Sequence, residues 1–97
     1  MANFEDGTVT GIVHGQLTAG DVDQVLLAPD GDRDWVLIQN LGPDPVYFAF
    51  GTAATVAGVF KILANGSYET SAKAITAAIH VITGAAGSAD IRFASGV

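Results

Sequence analysis

The sequence predicts an all-β fold, a single small β-sandwich, jelly-roll-like, of about seven to eight strands. Two observations carry that prediction. Gly, Pro, Asn and Asp recur at short intervals and leave apolar runs of about five to eight residues between them, the rhythm of a sandwich or barrel. Within these runs apolar and polar residues alternate, most clearly in Val46-Tyr47-Phe48-Ala49-Phe50 and Ala89-Asp90-Ile91-Arg92-Phe93. Such alternation belongs to strands with one buried face. At 97 residues the chain fits one domain. Residues 8–97 are assigned to that domain, and residues 1–7, which carry no pattern, to a flexible N-terminal arm.

The elements follow in order. Thr8 to Val13 reads as the first strand, and Thr18-Ala19-Gly20-Asp21 ends the segment. Gln24 to Leu27 is the second, stopped by Pro29-Asp30-Gly31. Trp35-Val36-Leu37-Ile38 is apolar on both faces, which suits a central strand covered on both sides. Leu41 to Pro45 reads as a turn, because its two prolines lack the donors a sheet uses. Val46–Phe50 comes next, then a small-residue loop from Gly51 to Gly58 and a strand from Val59 to Leu63. Asn65-Gly66 is a strong hairpin signal, since both residues tolerate positive φ, and Ser67–Thr70 is its returning strand. Residues 71–82 are ambiguous: Ile75, Ile79 and Ile82 fall at helical spacing, while Ile75, Ala77, Ile79 and Val81 alternate. The strand is the preferred reading, with Ile79 to Phe93 forming a closing hairpin.

Composition bounds the function. The chain has no cysteine, so disulfides, thiolate zinc sites and cysteine nucleophiles are excluded. Apolar residues make up 49% and charged residues 14%, against about 25% charged in an average domain. Mean hydropathy is +0.41. No apolar run approaches the roughly 20 residues of a spanning helix, and Met1-Ala2-Asn3-Phe4-Glu5-Asp6 is acidic where a secretory signal begins basic. The expectation is a soluble protein with more apolar surface than a monomer of this size hides, the remainder being covered by assembly. Net charge is −6, with only Arg33, Lys61, Lys73 and Arg92 positive. That balance argues against nucleic acid and anionic membranes as partners. The acids between Asp21 and Asp34 form a solvated loop face or suit a positively charged protein.

No motif for chemistry is complete, so the expectation is a non-enzyme without cofactor or metal. Asp30-Gly31-Asp32-Arg33-Asp34 begins like a helical calcium loop, but the positions that need Gly and an acid hold Trp35 and Leu41. Asp side chains capping their own backbone explain the segment as well. His14 and His80 lie far apart with no third ligand at short spacing. Neither Gly66-Ser67-Tyr68 nor Gly87-Ser88-Ala89 has the flanking glycines of a nucleophile elbow. Gly84-Ala85-Ala86-Gly87 lacks the lysine and helix of a phosphate loop. Asn65-Gly66-Ser67 matches a glycosylation acceptor, but the turn explains it too. Trp35, Tyr47 and Tyr68 are the aromatics from which a carbohydrate platform could be built.

From Trp35 onward the sequence resembles small tailed-bacteriophage virion structural proteins of the capsid decoration, or cement, type. The matching pieces are Trp35-Val36-Leu37-Ile38-Gln39-Asn40-Leu41, Pro45-Val46-Tyr47-Phe48-Ala49-Phe50-Gly51, Ile62-Leu63-Ala64-Asn65-Gly66-Ser67-Tyr68-Glu69 and the segment from Ile79 to Phe93. The resemblance covers about two-thirds of the chain. It implies a homotrimer on the capsid surface of the virion, bridging copies of the major capsid protein after synthesis and assembly in the host cytoplasm. A head-fibre or tail component that binds a receptor or carbohydrate is the alternative. The resemblance brings no catalytic residue. Interface residues are expected in the arm, at Ala2, Asn3, Phe4 and Glu5, and on the domain at Trp35, Tyr47 and Phe50.

Overall fold

The computed structural model describes residues 12–58, 60–70 and 76–96. Eight strands follow one another: β1 (Val13–Ala19), β2 (Gln24–Leu27), β3 (Trp35–Pro43), β4 (Val46–Phe50), β5 (Phe60–Ile62), β6 (Ser67–Thr70), β7 (Ile79–Thr83) and β8 (Ala89–Gly96). They build two four-stranded antiparallel sheets, ordered β1-β8-β3-β6 and β2-β7-β4-β5. Each strand pairs with the one equally far from the other end of the chain: β1 with β8, β2 with β7, β3 with β6, β4 with β5. This is one long hairpin rolled into a jelly roll.

The rolled topology corrects both expected hairpins. β5 and β6 lie in different sheets, as do β7 and β8; of strands adjacent in sequence, only β4 and β5 pair with each other. Asn65 does adopt the positive φ its turn needs, 67°. The turn carries the chain across the sandwich, not back along one sheet. The segment read as a turn from Leu41 is also corrected. β3 continues through an irregularity in register to Pro43, which stands opposite Ala89. Residues 79–83 are a strand, which removes the helical alternative there; residues 71–75 lie outside the described set.

The sequence places the first strand at Thr8 to Val13. Residues 8–11 are outside the described set, and β1 begins at Val13. Its inward series is Val13, Gly15, Leu17 and Ala19, opposite Ser95, Phe93, Ile91 and Ala89. Gly15 breaks the apolar pattern in the sequence because Phe93 occupies the space of its missing side chain. A Cβ at Gly15 would lie 2.9 Å from the ring. The expected arm, residues 1–7, also falls outside the described residues.

Between the sheets lie Val36 and Ile38 of β3, Val46 and Phe48 of β4, Ile79 and Val81 of β7, and Ile91 of β8. Six of these seven are fully buried, and each isoleucine would cost about 2–5 kcal/mol if cut to alanine. Asn40, at one end of this interior, is equally buried. Its Nδ2 donates to the carbonyls of Asp44 (2.9 Å) and Ile62 (3.0 Å), and its Oδ1 accepts from the Gly42 N–H (2.7 Å). Its backbone N–H and carbonyl bond to Gly66 O and Asn65 N. One residue of the first sheet thereby fixes the start of β4, the end of β5 and the turn into β6.

The opposite end of the sandwich is held by Arg33, which is buried to 4% exposure. Its guanidinium donates to the carbonyls of Ala28 (2.6 Å) and Ala77 (3.2 Å), joining the β2–β3 loop to the segment before β7. The nearby Asp30 does cap its own turn, accepting from the Asp32 N–H at 3.0 Å.

Replacing Asn40 with alanine removes three hydrogen bonds and leaves their buried partners behind, so stability should fall by about 3 kcal/mol. A urea titration should show this as a lower midpoint with an unchanged slope. A loss below about 1 kcal/mol would mean that the corner holds without the amide.

Candidate functional site

The two outer faces differ in chemistry. On the first sheet, His14, Gln16, Thr18, Gln39, Glu69, Asp90 and Arg92 alternate with the inward series. Gln16 Nε2 and the Arg92 guanidinium both donate to Asp90, which lies below its ordinary carboxyl value because of the Arg92 and Gln16 hydrogen bonds. On the second sheet, Val25, Tyr47, Ala49 and Ile82 face outward with His80 and Lys61. The Lys61 ammonium stands 5.5 Å from the centre of the Tyr47 ring.

On that second face Asp23 and His80 meet the loop between β4 and β5. The loop from Gly51 to Gly58 returns over the sheet, because the Asp23 carboxylate accepts the Ala54 N–H at 2.8 Å. Ala54 is 3% exposed although it lies outside the main core. The same carboxylate receives His80 Nδ1 at 3.0 and 3.1 Å. With Asp23 ionised, Nδ1 carries the proton and donates it. Burial pushes the Asp23 carboxyl up, but the Ala54 and His80 hydrogen bonds and the charge of His80 together hold it below its ordinary value of 3.8.

Under the loop, at the open end of β4 and β5, is a hollow of about 330 Å³. Phe48, Phe50 and Phe60 wall it, with Ala49, Ala53, Thr52 and Thr55 around them. The rings pack closely: Phe48 and Phe60 stack at 5.4 Å, Phe50 meets Phe48 edge-on at 5.5 Å, and Tyr68 closes the cluster 5.3 Å from Phe48. Among the described residues no ionisable side chain lines the hollow. Its described lining suits an uncharged apolar group. A second hollow, about 200 Å³, lies between Asp44, Pro45, Tyr47 and the Gly84–Gly87 turn. There Asp44 is committed to the Ser88 backbone N–H.

The expected interface residues do not form one patch. Ala2, Asn3, Phe4 and Glu5 lie outside the described residues. Trp35 stands on the outer face of the first sheet, over Gly96, where a Cβ would come 2.6 Å from the indole nitrogen. Tyr47 is on the outer face of the second sheet, and Phe50 is in the aromatic cluster between the sheets. Trp35, Tyr47 and Tyr68 likewise share no surface that could serve as a sugar platform. His14 and His80 lie on opposite sheets. No group of three or more His, Cys, Asp or Glu that could hold a metal is present among the described residues. Sequence reasoning missed the Asp23–His80–Ala54 link; its members are 57 and 31 residues apart, and no local pattern joins them.

No protein-family model matches the chain, and no curated protein matches it. Among solved structures it is similar to a de novo designed double-stranded β-helix determined by solution NMR. The TM-score is 0.56 and the identity 16%, over 86% of this chain and 97% of that one. It is also similar to a chain from Bacillus endospore appendages, which form a family of disulfide-linked pili. There the TM-score is 0.46 and the identity 16%, over 88% of this chain and 86% of that one. At such identity the likeness to the designed protein shows the fold alone.

Asp23→Asn tests the loop link through pH. A depressed carboxyl contributes stability above its unfolded value, and that contribution is lost as pH falls through the lower folded value. The stability gap between wild type and Asp23→Asn should therefore close as pH falls below about 4. Amide exchange at Ala54 should quicken in the variant. A gap that persists unchanged in strong acid would contradict the assignment.

Proposed function

We propose that this chain is a structural component of a bacteriophage particle, a capsid decoration protein that binds the outer surface of the head and stabilises it. Its partners on this reading are the major capsid protein and further copies of itself, three copies being what the resemblance implies. It acts by contact, without catalysis or cofactor.

The observation that carries the reading is apolar surface left over after the core is complete. Ile12, Val22, Val25, Leu41, Val56 and Leu63 are 48–70% exposed beside a packed core. Scattered exposed apolar residues are ordinary. Here, however, Val22 and Val25 lie on either side of Asp23, Val56 follows the Ala54 that Asp23 holds, and Leu41 and Leu63 adjoin Asn40 and Ile62, which are joined by a hydrogen bond. Patches of this kind belong to surfaces covered in an assembly. A shell protein repeats one modest contact many times, so each site needs little affinity of its own.

Co-sedimentation with expanded phage heads is the direct experiment. Binding that saturates at a fixed number of copies per head supports the reading, and absence of binding counts against it. Deleting residues 2–6 should lower occupancy if the arm docks on the capsid; unchanged occupancy would remove the arm from the account.

A further inference from the structure

Four strands end the two sheets, and three of them carry a feature that discourages pairing with another chain. β2 has four residues, and its register shifts between Val25 and Leu27. β5 carries Lys61 at the centre of its described residues, and β6 includes Glu69. Shortness, bulges and charge are the usual ways of blunting an edge. β1 has none of them. It runs for seven residues, Val-His-Gly-Gln-Leu-Thr-Ala, with no proline and no Asp, Glu, Lys or Arg. Its register with β8 is unbroken at all seven positions. Among the described residues, no strand pairs with its other side, and no backbone group of residues 13–19 bonds outside the ladder with β8. About 23 Å of alternating donors and acceptors is thus presented.

We infer that β1 is a self-association edge, at which the β1 strands of two copies pair antiparallel about a two-fold axis at Gln16. The sequence of the strand fits itself in that register. Full overlap sets residue 13 against 19, 14 against 18, 15 against 17, and 16 against itself. Val13, half exposed in one copy, meets Ala19 of the second. His14 meets Thr18, and Leu17 lies beside the bare Gly15 and the Phe93 ring beneath it. The two Gln16 amides, both exposed, come within reach of each other. No like charges are opposed, and like charges directly opposite are what most penalises a cross-strand pair.

The pairing joins two four-stranded sheets into one of eight strands. It is isologous, so it closes at two copies and does not run on into a fibre. An edge alone buries less than the roughly 1,200 Å² of a stable standard interface, so the association is weak and concentration-dependent. It does not depend on the capsid reading.

Charge substitution at Gln16 tests the register without touching the core. Wild type, Gln16→Lys and Gln16→Glu are compared by native mass spectrometry over a concentration series, with thermal melts confirming that each is folded. A two-copy species is expected for wild type. Each variant alone should associate about fivefold more weakly, the effect of a like-charge pair set directly opposite. An equimolar mixture of the two should restore association as a mixed dimer, since the introduced lysine then faces the introduced glutamate. Wild type that stays a monomer, association unchanged in both variants, or a mixture no better than its components would overturn the inference. A three-copy species indifferent to both substitutions would also overturn it, and would leave capsid decoration standing.

Discussion

A single buried amide governs how this sandwich is closed. Asn40 is buried with no exposure at one end of the interior, and burial of an unpaired amide would be costly. Every hydrogen bond it makes is therefore a condition on its neighbours. Its two donors need the Asp44 and Ile62 carbonyls, its acceptor needs the Gly42 N–H, and its backbone needs the Asn65–Gly66 turn. These groups belong to both sheets. The sheets cannot slide past each other, and β5 cannot turn into β6 elsewhere, without leaving some of them unsatisfied.

The same device recurs at other loops among the described residues. Arg33 ties the β2–β3 loop to the segment before β7, Asp44 holds Ser88, and Asp23 holds Ala54 over the outside of the second sheet. In each case one polar side chain grips the backbone of an element distant in sequence. A chain of 97 residues with no cysteine has no disulfide to do this. Side-chain-to-backbone hydrogen bonds take over that role at the corners, and the apolar interior supplies the bulk of the stabilisation.

Much of this was legible in the sequence, for identifiable reasons. The strands Gln24–Leu27, Val46–Phe50 and Ser67–Thr70 lie where their residue patterns put them, because short apolar or alternating runs are bounded there by turn residues. β1 was illegible because Phe93 supplies the bulk missing at Gly15, so half of the pattern sits on another strand. The hairpins were misread because Asn65-Gly66 has the same local chemistry whether it reverses a strand within one sheet or passes it to the next. Trp35 marked a strand correctly, but its ring covers Gly96 on the outside instead of filling the core. The loop link through Asp23 and the aromatic hollow were beyond reach, since both depend on long-range packing.

Form and chemistry point the same way. The interior is committed to closing the fold, the polar side chains to holding its corners, and the Asp23–His80 pair to holding the loop at Ala54. Among the described residues there remain exposed apolar side chains and the uninterrupted edge of β1. The central claim is that this surface exists to be covered by other protein. Sedimentation velocity of the purified chain over a wide concentration range tests it most directly. The account predicts a mass that rises above 9.9 kDa with concentration; a monomer unchanged across the whole range, with no uptake onto capsids, would contradict it.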